Sequence, residues 1–187
     1  MSKILIISAH QNLNQSVSNR LIIKELAEHF GSKAQIRRLS DLYPDYQIDV
    51  QAEQKALLDA DIVLLQYPTF WYNPPSILQK WLEDILVFGF AYGPDGSQLA
   101  GKKLLVSTTT GKPAHFYTGE LFGNVEEMVK AVRLSAEFAS MDWQGVHALH
   151  GVLYVPNMHS ADDLANIENQ AKAFAKKLIS EIEKLAS

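Results

Sequence analysis

The sequence predicts an α/β fold with a doubly wound, five-stranded parallel sheet in the order 2-1-3-4-5 and helices on both faces. Three observations carry this. Short β-branched runs alternate with segments of helical periodicity along the whole chain, which is how β–α units read. Crossovers between parallel strands are right-handed almost without exception, so successive units wind onto the two faces of one sheet. Polar, ligand-like loops follow the first, third and fourth strands, and only a switch-point order brings those strand ends together as neighbours.

The elements follow in order. Ile4 to Ile7 is apolar enough for a strand covered on both faces. Val17, Leu21, Ile22, Leu26, Ala27 and Phe30 recur at helical spacing, and Gly31 ends that helix. A second strand is expected over Ala34–Leu39, then a loop over Leu42–Asp49 around Pro44, then a short helix over Gln51–Asp59. Ile62 to Gln66 is the third strand and runs directly into an aromatic segment. Pro74 and Pro75 suit the first turn of the next helix, where a missing N–H costs nothing, and Ile77, Leu78, Trp81, Leu82, Ile85 and Leu86 share its apolar face. This stripe reads as core and subunit contact. After a turn-rich stretch from Gly93 to Gly101 come a fourth strand over Lys103–Thr109, a mobile loop, a helix over Val125–Ala139, a fifth strand over Val146–Val155 and a last helix over Ala161–Leu185. No repeat or linker interrupts the 187 residues, so one domain is expected.

Composition removes several function classes. Hydrophobic residues are 47% and charged residues 20%, an ordinary globular balance, and the formal charge of −4 carries no nucleic-acid footprint. The same mild charge argues against a one-electron carrier that docks through a strongly acidic surface. The absence of cysteine excludes thiol nucleophiles, disulfide exchange and Cys-ligated metals, so redox chemistry would need a borrowed cofactor. No targeting signal opens the chain and no apolar run reaches membrane-spanning length, which predicts a cytoplasmic protein with no transmembrane segment.

Chemistry is expected in three loops. The first contains no glycine between Ser8 and Asn19, so a Rossmann fingerprint fails, and no P-loop motif exists anywhere. It still ends at a helix start, where His10, Ser16, Ser18 and Asn19 supply polar donors beside free backbone N–H groups, that of Val17 among them. That set suits a phosphate, and it suits simple N-capping by Ser16 equally. The second, Tyr67-Pro68-Thr69-Phe70-Trp71-Tyr72-Asn73-Pro74-Pro75, offers ring faces to a flat ligand, or serves as a hydrophobic plug or a subunit contact. The third, Thr108-Thr109-Thr110-Gly111, gives hydrogen-bonding groups and a glycine, which serve a heterocycle's polar edge or a plain turn. His147 and His150 are an odd distance apart on a strand and make a poor metal site, so structural roles are expected for both.

With these loops in place, the sequence resembles the flavodoxin-like NAD(P)H:quinone oxidoreductases of the DT-diaphorase type. Within them it is most similar to the ancillary oxidoreductases of glutathione-gated potassium-efflux systems. The likeness spans nearly the whole chain. It is sharpest at Asp41-Leu42-Tyr43-Pro44-Asp45 with Ile48-Asp49 and Ala52-Glu53-Gln54, at Pro68 to Pro75 with Lys80-Trp81, at Gly89-Phe90-Ala91-Tyr92-Gly93 and at Thr109-Thr110-Gly111.

The resemblance implies FMN, with FAD the alternative, held at His10 and the Ser16–Asn19 turn. Thr69 to Tyr72 would flank the isoalloxazine and Thr109 to Lys112 would meet its polar edge. NAD(P)H would be the electron donor, and a quinone the acceptor, by ping-pong hydride transfer. Tyr117, with His115 nearby, matches by spacing a tyrosine that lies over the flavin and assists hydride transfer; a surface loop without catalytic part is the other reading of that segment. A homodimer and a potassium-efflux transporter partner at the inner face of the membrane are implied in the same way, the flavin then being structural or sensory. Two positions depart from the family pattern: Gln11, where a proline is usual, and Lys112, where a second glycine is frequent.

Overall fold

The fold is built on five parallel strands in the order β2-β1-β3-β4-β5. The computed structural model describes residues 2–120 and 123–187. The strands are β1 (Ile4–Ser8), β2 (Ala34–Arg38), β3 (Ile62–Pro68), β4 (Lys103–Thr109) and β5 (Asp142–Leu149), and every pairing is parallel. The three inner strands are buried on both faces, which is why they read as continuous apolar runs.

Side chains alternate between two cores. Leu5, Ile7, Val63, Leu65 and Val106 face α3 (Val50–Asp59), α4 (Ser76–Ile85) and α6 (Lys130–Phe138), meeting Leu57, Trp81, Ile85 and Val132. Ile4, Ile6, Ile62, Leu64 and Leu105 face α1 (Ser18–Phe30) and α7 (Ala161–Ala186), meeting Ile22, Leu26, Phe174 and Leu178. The last helix starts on a capping box in which Ser160 Oγ accepts from Asp163 N and the Asp163 carboxylate accepts from Ser160 N.

Four element boundaries differ from the sequence expectation. Leu39 leaves the second strand for a single turn, α2 (Leu39–Leu42), at the head of the expected loop. Pro74 and Pro75 precede α4 instead of lying inside it; the Pro75 carbonyl accepts from Leu78 N and Gln79 N. The helix expected over Val125–Ala139 is split at Val129 into α5 (Val125–Met128) and α6. The fifth strand starts at Asp142 and ends at Leu149, with a register irregularity opposite Leu104–Val106 and Gly145 at φ +96°. Edge strands tolerate polar and irregular sequence, so Asp142-Trp143-Gln144-Gly145 carries no strand signal.

One buried charged cluster ties the motif-rich stretches together. Glu53 on α3 is fully buried and accepts from Arg37 Nε at 2.6 Å, from the Tyr43 hydroxyl, and from Trp81 Nε1 at 2.9 Å. Burial and the adjacent carboxylate push the Tyr43 hydroxyl above its ordinary pKa. The Tyr43, Glu53 and Trp81 stretches that carry much of the family likeness therefore fasten β2, α3 and α4 to one another.

Candidate functional site

The carboxyl ends of β1, β3 and β4 open into a cavity of about 390 Å³. Its first wall is the β1–α1 loop, with His10, Gln11, Asn12, Gln15 and Ser16 to Asn19; its second is Pro68, Thr69 and Phe70; its third is Thr109, Thr110 and Gly111. Val152, Leu153 and Tyr154, from the loop after β5, close the fourth side.

Asn19 holds these walls together. Its backbone N and its Nδ2 donate to Ser16 Oγ at 3.2 and 3.1 Å, and Nδ2 reaches Thr109 Oγ1 at 3.1 Å. Its Oδ1 accepts from Gln66 Nε2 at 2.6 Å and from the Thr109 hydroxyl at 3.2 Å. Ser16 Oγ thus accepts from the first turn of α1, whose cap position is Val17, and with both lone pairs engaged its hydroxyl proton is left to donate. The first-turn N–H groups of α1 have no intrahelical partner and stand at the positive end of the helix dipole. Beneath Asn19, the buried side chains of Ser8, Gln66 and Ser107 share one register row across three strands, so the floor of this wall is polar.

The other loops are equally fixed. Thr69 N donates to the Thr109 carbonyl at 2.8 Å and the Thr69 and Thr108 hydroxyls lie 2.8 Å apart. Phe70 and Asn73 exchange both backbone bonds, which makes Trp71 and Tyr72 the centre of a two-residue turn at φ +49° and +66°. Such a turn favours Asn-Gly; two aromatics there store backbone strain of about 1–3 kcal/mol each, as functional loops do. Trp71 is 91% exposed and stands outside the cavity. A Cβ built on Gly111 would meet Leu153 Cβ at 3.5 Å, an ordinary contact, so the protein's own packing does not demand glycine there.

Two histidines have defined states. Asn12 N donates to His10 Nδ1 at 3.0 Å, which places the proton of the neutral ring on Nε2, and burial holds its pKa below the ordinary value. The Thr110 hydroxyl donates to the Lys112 carbonyl at 3.1 Å and accepts from His150 Nδ1 at 2.9 Å. His150, whose pKa is likewise lowered by burial, stacks on Tyr117 with ring centroids 5.1 Å apart. Sequence spacing singles out His115 beside Tyr117, whereas in the fold it is His150 that meets this ring. His115 lies against Phe116 and lines neither cavity described here.

Tyr72, Lys112, Phe116 and Tyr117 form a recess of about 210 Å³, and the same two turns wall both hollows. The fold therefore gathers His10, the Ser16–Asn19 turn, Pro68 to Phe70 and Thr109 to Gly111 around one cavity, with Tyr72, Lys112 and Tyr117 in the recess alongside. Gln11, Asn12, Gln15 and Val152 to Tyr154 had no sequence signal as wall residues.

A sheet of this order with its cavity over β1, β3 and β4 finds its match among known proteins. Residues 2–178 match the family described as having a flavodoxin-like fold. This chain belongs to the flavodoxin-like fold family. Within that family it is 35% identical over 177 residues to the glutathione-regulated potassium-efflux system ancillary protein KefF of Klebsiella pneumoniae, covering 94% of each chain. It is 31% identical over 166 residues to the NAD(P)H oxidoreductase YrkL of Bacillus subtilis, covering 88% of this chain and 92% of that one. Among solved structures it superposes on general stress protein 14 of Treponema denticola in complex with FMN with a TM-score of 0.83 at 29% identity, covering 96% of this chain and 99% of the other. The flavodoxin-like relatives include NAD(P)H oxidoreductases, and among the described residues no helix is long and apolar enough to cross a membrane.

Proposed function

We propose that this protein is an FMN-dependent NAD(P)H:quinone oxidoreductase. The observation that carries the reading is the cavity itself: neutral donors and a helix start, Phe70 and Leu153, and the Thr109–Gly111 turn line one space. At about 390 Å³ it has the size of ordinary ligand pockets, roughly 300–1,000 Å³.

The residues fit the cofactor. His10 Nε2–H, the Ser16 hydroxyl and the N–H groups of Val17 and Ser18 would hold the phosphate. Among the described residues the cavity has no Lys or Arg, so the dianion would be neutralised by donors and dipole alone. Phe70 and Leu153 would cover the ring faces, and backbone groups at Thr110 and Gly111 would meet the polar edge. A bound flavin would supply two-electron transfer: a hydride from NAD(P)H and one proton from solvent would leave on a quinone as hydroquinone. Tyr117, at the mouth, would donate a hydrogen bond to the oxygen that gains charge. One mouth serving donor and acceptor in turn makes the kinetics ping-pong.

Absorption of the purified protein, with mass analysis of the released ligand, tests this. We expect flavin bands, FMN as the ligand, anaerobic bleaching by NAD(P)H, recovery on adding a quinone, and parallel double-reciprocal plots. A protein that stays colourless with FMN and FAD contradicts the reading.

A second reading rests on the likeness to KefF: an ancillary subunit that docks, as a homodimer, on a potassium-efflux transporter at the inner membrane face. Co-purification with such a transporter, and efflux restored by a variant unable to bind flavin, would support a regulatory part independent of catalysis.

A further inference from the structure

We infer that the recess formed by Tyr72, Lys112, Phe116 and Tyr117 is an acceptor subsite selective for planar aromatic rings that carry an anionic group, with Lys112 as its charge reader. The inference rests on the oxidoreductase reading and deepens it by naming the acceptor class.

Among the described residues the walls of the recess are the aromatic rings of Tyr72, Phe116 and Tyr117 together with Lys112, enclosing about 210 Å³ beside the main cavity. Aromatic walls reward a flat ring through burial and stacking. The Lys112 ammonium lies 5.4 Å from the centroid of the Phe116 ring, within reach of a cation–π contact, so the exposed lysine holds its charge against the aromatic wall. Lys112 has no ion-pair partner among the described residues, which leaves its charge uncompensated by any protein carboxylate. The main cavity contributes no lysine or arginine among the described residues, so Lys112 is the cation of the combined site.

The recess is also anchored. The Lys112 carbonyl accepts from the Thr110 hydroxyl and from Gly151 N at 2.9 Å, and the Tyr117 ring rests on His150. The backbone beneath the ammonium and one aromatic wall are thus held by the same strand ends that shape the cavity. A carboxylate or sulfonate meeting the exposed Lys112 gains a factor of about 2 to 5, and salt screens it.

The test uses the FMN-loaded protein and a matched pair of acceptors, 1,4-naphthoquinone-2-sulfonate and the neutral 1,4-naphthoquinone. The wild type is expected to favour the sulfonate in kcat/KM, with the ratio falling about two- to fivefold in Lys112→Gln, recovering in Lys112→Arg and shrinking at high salt. Equilibrium binding of the redox-inert naphthalene-2-sulfonate against its neutral sulfonamide should show the same ratio change without turnover. A ratio indifferent to Lys112 overturns the subsite while leaving the oxidoreductase reading intact. If neither quinone is reduced, that broader reading fails instead, and the inert-ligand pair still decides the subsite. A dinucleotide pyrophosphate is the other anion that could meet Lys112. A raised KM for NAD(P)H in Lys112→Gln, with the acceptor ratio unchanged, would assign the lysine to the donor and overturn the acceptor assignment.

Discussion

His10 shows how one residue fixes both a donor and a pH dependence. Because Asn12 N occupies Nδ1, the neutral ring presents Nε2–H, and burial keeps the ring neutral below its usual titration. A histidine with a lowered native pKa binds its proton first in the unfolded state. Its contribution is therefore complete above the unfolded value of 6.5 and is lost as pH falls below it toward the native value. Urea midpoints taken at about pH 7.5 and about pH 5.5 should fall less in His10→Gln than in the wild type; equal falls would show that His10 is not neutral in the fold. Asn19 was legible from the sequence as one donor among several. Its part as the node joining Ser16, Gln66 and Thr109 depends on partners 47 and 90 positions away, which no local pattern encodes.

At the scale of elements, the Glu53 cluster decides how β2, α3 and α4 stay together. Glu53→Ala would leave the Arg37 charge and the Trp81 N–H without their partner, and removing one member of a buried ion pair costs about 3–5 kcal/mol. Denaturant unfolding should show a loss of that size, and a change under about 1 kcal/mol would mean that water takes over the carboxylate's role. The inner strands could be read from the sequence because each is buried on both faces, and α1, α4 and α7 because their apolar spacing and stops are local. The fifth strand was placed too late: its opening residues are polar and contain Gly145, and Val152 to Val155 continue the apolar pattern beyond Leu149. The same misplacement hid a wall of the site. Val152 N bonds the Thr110 carbonyl at 3.1 Å, which carries Leu153 and Tyr154 to the cavity from what reads as strand.

For the whole molecule, the parallel order is what turns three unrelated turns into one cavity. Each turn alone fits a bland role; side by side they enclose a phosphate-sized set of donors, an apolar wall and a polar edge. The motifs that make the chain resemble its relatives divide accordingly: those around Tyr43, Glu53 and Trp81 build the frame, while those at Pro68–Phe70 and Thr109–Gly111 line the site. The central claim is that the start of α1 grips a phosphate with neutral donors and a dipole. Titrating the apoprotein with FMN and with riboflavin, which lacks the phosphate, tests it most directly. Hydrogen bonds to a charged group are worth about 1.5–3 kcal/mol each, so FMN should bind at least about 100-fold more tightly. Equal affinity for the two, or no binding of either, would contradict the account.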